Sequence, residues 1–180
     1  PQGHAHAVDL VRQIADMNRG KFIDGEVEEC HHSKFSIGVA GYPEVHAEAR
    51  DITSDIARLR DKVDAGAEYV ITQMFFDNNI LYNFLYRLYR AGIDVPVVAG
   101  VMPVTSAAQI KRLCSISSSA LPQRFIRIVD RYGDDSAAMK QAGIAFATEQ
   151  IIDLYANGIN AVHVYSMNKP DVAAAIKANL

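Results

Sequence analysis

Apolar positions along the chain alternate between a helical period and short unbroken runs. In residues 7–17, Ala7, Leu10, Val11, Ile14 and Met17 share one helical face, and Asn18-Arg19-Gly20 closes the run as a helix C-terminus does. Gly20 to Lys34 is polar and acidic, without a sustained apolar period, and reads as a solvated connection. Phe35 to Tyr42 (FSIGVAGY), ended by Pro43, predicts a buried strand. The unit then recurs. Ile52, Ile56, Leu59 and Val63 make a helix face that Gly66 terminates, and Tyr69 to Phe76 (YVITQMFF) resumes an apolar strand. Leu81, Phe84, Leu85 and Leu88 give the next helix, closed by Gly92, and Val95 to Val101 the third strand. Ser106 with Gln109 three residues later predicts a capping box opening a helix through Leu113. A short helix over Pro122 to Val129 follows. A longer one starts near Asp135, carries Ile144, Ala147, Ile151 and Leu154, and stops at Asn157-Gly158. Ala161 to Ser166 (AVHVYS) is the fourth strand, and Pro170 opens a terminal helix.

Strands that are nearly all apolar and alternate with helices pair in parallel, with helices covering the outside, so the class is α/β. No GxGxxG follows a strand and there is no GxxxxGK[ST], which leaves neither a dinucleotide fingerprint nor a P-loop. What remains are the polar residues where strands end, Tyr42, Gln73 and Tyr165, at the rim that carries chemistry in α/β barrels.

Composition narrows the function classes. At 180 residues with 49% hydrophobic content, the chain suits one domain with one sizeable core. It is short of the roughly 250 residues of a closed eight-stranded barrel. A net charge of -3 with scattered Lys and Arg offers no field for a phosphate backbone, so nucleic acid is not an expected partner. Cys30 and Cys114 stand far apart and outside CxxC spacing, which points to a reducing, cytoplasmic setting without disulfide or thiolate zinc. No apolar run approaches the roughly 20 residues of a membrane span.

Three constellations carry candidate chemistry, each beside a plainer reading. In GYPEVHAEAR (41–50), Tyr42 and His46 follow a strand and precede a helix, which suits either a rim site or an ordinary turn. Asp55 and Lys62 are seven residues apart, two turns on one helix face, which fits one extended ligand or a solvated face. Cys30-His31-His32 beside Glu28 and Glu29 has metal-ligand types without a rigid spacing, and no metal is assigned. His163, inside an apolar strand, is expected to be a core or barrel residue.

Taken together, the strings GVAGYPEVHAEA (38–49), KVDAGAEYVITQMFFD (62–77), VAGVMP (98–103) and HVYSMNKP (163–170) resemble methylenetetrahydrofolate reductase in order and spacing. The likeness runs from HAVDLV at residues 6–11 to the C-terminus. It implies a parallel-stranded (β/α) barrel of the TIM type, of which this chain holds only the C-terminal half to two-thirds as a single α/β domain over residues 1–180. It also implies FAD at the rim, reduction of the flavin by NADH or NADPH, and hydride transfer to methylenetetrahydrofolate at the same flavin face.

By that resemblance, the FAD contacts are His6, Ala7, Tyr42, His46, Ala47, Glu48, Ala49, Asp55 and Lys62. Asp55 is expected on a ribose hydroxyl and Lys62 on a phosphate, with His46 to Ala49 reaching the pyrophosphate and ribose from the loop and helix start. The substrate contacts are Gln73, Gln109, Tyr165 and Lys169. The family writes FYTLNR where this chain has VYSMNK, so Lys169 keeps the charge of an arginine but not its bidentate fork. Leu113 stands where some bacterial members place a substrate-stacking phenylalanine. The family's general acid, a glutamate, and the aspartate beside the flavin ring belong to the earlier half of the barrel, so no catalytic residue is assigned here. Four parallel strands leave two edges open, which favours a homo-oligomer or a longer native chain. The rival expectation is a non-catalytic nucleotide-binding or self-associating module.

Overall fold

Each predicted strand forms, but shorter than its apolar run. The computed structural model describes residues 3–22, 32–110 and 121–180. In chain order these form α1 (Ala7–Asn18), β1 (Gly38–Gly41), α2 (Ile52–Asp64), β2 (Tyr69–Thr72), α3 (Asn78–Arg90), β3 (Val97–Val101), α4 (Gln123–Tyr132), α5 (Ser136–Ala156), β4 (Val162–Val164) and α6 (Pro170–Ala178). Residues 107–110 are also helical. Leu113, Cys114, Cys30 and His31 lie outside the described residues.

The trimmed strand ends have identifiable causes. Phe35 is 59% exposed rather than buried. Its N–H and C=O are both taken by the side-chain amide of Asn18, at 3.0 and 2.8 Å, so the end of α1 replaces a neighbouring strand. Pro96 has no N–H to give the ladder, although its carbonyl still accepts from Val70 at 2.9 Å. Beyond Thr72, Gln73 N–H donates to Gly41 O at 2.7 Å, and the chain then turns away to bury Met74, Phe75 and Phe76. The helix ends read as expected, with Gly66, Gly92 and Gly158 all at positive φ just past α2, α3 and α5.

All three strand pairings are parallel, in the order β1-β2-β3-β4. A doubly wound sheet reverses its order at a switch point, whereas consecutive order with helices on one side is how a (β/α) barrel is built. The α/β class with barrel-type alternation therefore holds. The sheet's two faces confirm the asymmetry. Val39, Val70, Ala99, Val101, Val162 and Val164 point outward into the core shared with Leu59, Phe84, Ile151 and Ile176. Their neighbours Gly38, Ala40 and His163 are exposed, and Tyr69, Ile71 and Val98 half-buried, on the concave face. Of the two places expected for His163, core or barrel interior, β4 gives it the second: it is exposed on the concave face, against the ring of Tyr165 at 4.6 Å. A second core of Met74, Phe76, Met102, Val104, Ile110, Phe125 and Met139 closes the rim end of β2 and β3.

Candidate functional site

Strand β1 ends at Gly41, and the next residue, Tyr42, lies half-buried with its ring edge-on to His46 at 4.5 Å. The turn after Pro43 is held internally. His46 N–H donates to Asp55 Oδ2 at 2.8 Å, Glu48 N–H to His46 Nδ1 at 3.1 Å, and Ala49 N–H to His46 O at 2.8 Å. This corrects one expectation. Residues 46–49 are not the start of α2, which begins at Ile52 behind the cap residue Asp51. Their amides are not a free row either, because three of the four, those of His46, Glu48 and Ala49, are taken within the turn and only Ala47 N–H is left. Asp51 and Ser54 form the reciprocal cap, Ser54 N–H to Asp51 Oδ1 at 2.7 Å and Asp51 N–H to Ser54 Oγ at 3.2 Å. The Ser54 N–H, with Arg50 beside it, holds the Asp51 carboxyl down at about 2.

Lys62 leaves the same face of α2 as Asp55 and donates from Nζ to Ala40 O at 2.8 Å, at the end of β1. Burial pushes its ammonium below the ordinary lysine value, and the Asp55 carboxylate partly opposes that. Burial also raises the phenol of Tyr42, with Asp55 and Glu48 adding to the effect. The phenol of Tyr165 is raised by burial and then by Tyr42, which places the two rings in one electrostatic neighbourhood. Both phenols therefore stay protonated at neutral pH.

Tyr165, just past β4, reaches across β3 to donate its O–H to Thr72 O at 2.8 Å. The path crosses Gly100, where an added Cβ would sit 2.2 Å from Thr72 O and 2.7 Å from the Tyr165 ring. Thr72, fully buried, turns its own hydroxyl to accept from Gly100 N–H at 2.8 Å. Tyr165 thus gives its proton to the backbone and offers a ligand its ring and acceptor lone pairs. Gln73, next to Thr72, is half-buried, and its Oε1 accepts from Met74 N–H at 3.0 Å, leaving the amide NH2 as the available donor.

The two remaining expected substrate contacts, Gln109 and Lys169, meet through a residue that sequence reasoning missed. Lys169 Nζ donates to Thr105 Oγ1 at 2.8 Å, and Thr105 N–H donates to Gln109 Oε1 at 3.1 Å. The capping box is therefore half formed. Gln109 N–H does reach Ser106 Oγ at 3.3 Å, but the glutamine side chain returns to Thr105, one residue earlier than the cap. The only signal in the sequence was a hydroxyl directly after the apolar run VMPV.

Tyr42, His46, Asp55 and Lys62 are thus one connected group, with Tyr165 and Gln73 beside it. Gln109 and Lys169 form a second. Ala47 and Glu48 are exposed on the intervening turn, and Ala49 is half-buried there. His6 and Ala7, both exposed, begin α1. The far end of that helix, Asn18, touches Phe35 ahead of β1, so its start lies toward the rim. No hydrogen bond among the described residues ties the His6 side chain to the other group.

Elsewhere, a cleft of about 350 Å³ lies outside the sheet between α3, α4 and α5, lined by Phe76, Asn78, Arg124 and Glu149, and it contains none of the predicted residues. Among the described residues there is no cluster of three His, Cys, Asp or Glu able to hold a metal, and no helix long and apolar enough to cross a membrane.

Comparison with known proteins matches residues 1–180 to the family described as Methylenetetrahydrofolate reductase. "Methylenetetrahydrofolate reductase (NADH) 1" of Arabidopsis thaliana is 34% identical over 187 residues, covering 99% of this chain and 29% of its own length. The "5,10-methylenetetrahydrofolate reductase" of Escherichia coli is 36% identical over 142 residues, covering 79% of this chain and 48% of its own. A solved structure described as an uncharacterized protein from Clostridium thermocellum binding two copies of 5-methyl-5,6,7,8-tetrahydrofolic acid aligns at 18% identity and a TM-score of 0.49, over 81% of this chain and 52% of that one. The chain spans half or less of the length of these curated relatives.

Proposed function

Since this chain belongs to the methylenetetrahydrofolate reductase family, we propose that its rim is the flavin and folate face of an enzyme reducing 5,10-methylenetetrahydrofolate to 5-methyltetrahydrofolate. Electrons come from NADH or NADPH by way of FAD, the two substrates using one flavin face in turn. The observation that carries the reading is the gathering of Tyr42, His46, Asp55, Lys62 and Gln73 at the neighbouring exits of β1 and β2, with Tyr165 reaching back from β4 over β3 to the end of β2.

The donor set fits FAD. The ammonium of Lys62 spends one proton on Ala40 O and keeps two, and an adjacent phosphate would relieve the cost that burial places on its charge. Asp55 uses Oδ2 on the His46 amide, which leaves Oδ1 for a ribose hydroxyl. Ala47 N–H is open to an anionic oxygen, and the half-buried ring of Tyr42 offers a flat apolar surface. When bound, the flavin supplies the ring that accepts hydride from the pyridine nucleotide and delivers it to the folate carbon.

The chain's own residues bind and orient. Gln73 presents two amide protons to acceptors of the pterin or the nicotinamide amide. Tyr165 ties the exit of β4 to the end of β2, its hydroxyl donating to Thr72 O, the residue before Gln73. Lys169 supplies a positive charge for a folate carboxylate or nucleotide phosphate.

The test is optical. Chain purified with FAD and freed of excess should be yellow, should bleach when NADH or NADPH is added without oxygen, and should recover colour with methylenetetrahydrofolate if the proton donor is supplied by a full-length version. A colourless oligomer indifferent to FAD would overturn the reading in favour of an assembly module, for which β1 and β4, the two end strands of the sheet among the described residues, provide the edges.

A further inference from the structure

The exit of β3 holds a buried threonine whose two polar ends grip two other candidate residues. Thr105 is 7% exposed. Its hydroxyl accepts from Lys169 Nζ at 2.8 Å, across 64 residues of chain, and its N–H donates to Gln109 Oε1 at 3.1 Å. We propose that Thr105 is a positioning residue that presets Lys169 and Gln109 as a single two-part grip for an oxyanion of the ligand. This rests on the functional reading above for the ligand, but not for the geometry.

A guanidinium presents a rigid fork, whereas an ammonium sits on a flexible four-carbon stem and must be held if it is to point anywhere. The hydroxyl of Thr105 holds one of its three protons and thereby aims the other two. Thr105 can do this because its own segment cannot move. The preceding carbonyl, Val104 O, is seated so tightly on α5 that a Cβ on Gly143 would lie 1.9 Å from it. A glycine inside a helix costs about 1 kcal/mol against alanine, so close approach is its evident use here.

The grip offers donors only. With Oε1 of Gln109 accepting from Thr105, its NH2 is what remains for a ligand, and the Lys169 ammonium has no acceptor at all. Such a pair selects an anionic oxygen, either a folate carboxylate or a dinucleotide phosphate. Lys169 also starts α6, after Met167 and Asn168 at φ 51 and 59, and two successive non-glycine residues in that region fix the direction in which its stem leaves the backbone.

Two readouts test the proposal. Side-chain ammonium NMR of isotopically labelled lysine, with the Lys169 signal identified by its loss in Lys169→Met, should show a restrained ammonium in the wild type and in Thr105→Ser, and a mobile one in Thr105→Val. Binding of 5-methyltetrahydrofolate should be compared with its pteroate analogue lacking the glutamate, and NADH with reduced nicotinamide riboside. Thr105→Val should lose about three- to tenfold of the preference for one anionic member, leave its neutral counterpart unchanged, and be rescued by serine. Whichever pair responds names the oxyanion. An unrestrained ammonium already in the wild type, or one equally restrained in Thr105→Val, overturns the proposal, as does equal weakening of anionic and neutral ligands. If the wild type binds neither the folate nor NADH, the functional reading fails while the ammonium signal still decides the role of Thr105.

Discussion

The two sides of the rim are assembled in different ways. At the β1 exit, Tyr42, His46, Asp55 and Lys62 all belong to one strand-turn-helix unit, tied by the His46 amide on Asp55 and the Lys62 ammonium on Ala40 O. At the β3 and β4 exits, Thr105 and Lys169 meet across 64 residues and Thr72 and Tyr165 across 93, and both meetings require glycines where helix or strand backbones crowd together. The first side is made by local turn chemistry. The second exists only when α5 and β4 have packed against β3. A perturbation of packing should therefore dissolve the second group and spare the first.

The strongest way to break this contrast is Gly143→Ala. The clash with Val104 O should outweigh the gain in helix propensity and destabilise the protein by about 2 kcal/mol, read as a lower urea midpoint. In the folded fraction the Lys169 ammonium should become mobile while that of Lys62 keeps its restraint, and equal loosening of both would abolish the distinction.

Lys62→Met addresses the local side alone. Loss of a phosphate partner should weaken FAD retention about tenfold, measured by equilibrium dialysis, whereas folding stability should hold or rise because a half-buried charge is removed. Unchanged flavin content would remove Lys62 from the site.

Gln73→Ala probes the seam between the two groups. The folate half-reaction of a full-length version should slow about fivefold with flavin retention little changed, and equal loss of both would make the glutamine structural.

The smallest effect concerns pH. The Asp51 carboxyl is lowered from 3.8 to about 2 in the folded chain, so its cap contributes fully above 3.8 and is lost as pH falls through about 2. Asp51→Asn, an equally good cap, should leave stability at pH 7 nearly unchanged and flatten this part of the acid limb, as monitored by circular dichroism.

Legibility in the sequence followed the same division. The strand-helix alternation, the glycine stops after α2, α3 and α5, and the shared face of Asp55 and Lys62 were readable, because each depends on a few consecutive residues. The membership of the rim group was legible only through resemblance. Periodicity alone left Tyr42 and His46 open between a turn and a site. It left His163 open between the core and the barrel interior, because only the covering of one sheet face decides which alternate residues stay exposed. It also took Gln109 as the return arm of a capping box, because spacing cannot show that Thr105 N–H is the nearer donor.

What the amino-acid order determined by itself is therefore the list of elements, the glycine stops after α2, α3 and α5 and the charge on each helix face, all set by interactions within a turn or two of chain. Tertiary structure alone decided that the Tyr165 hydroxyl goes to Thr72 O, that Thr105 joins Lys169 to Gln109, and which side of the sheet stays open. Those outcomes depend on how closely α5 and β4 approach β3, a distance governed by glycines whose neighbours are remote in sequence and appear only when the layers meet.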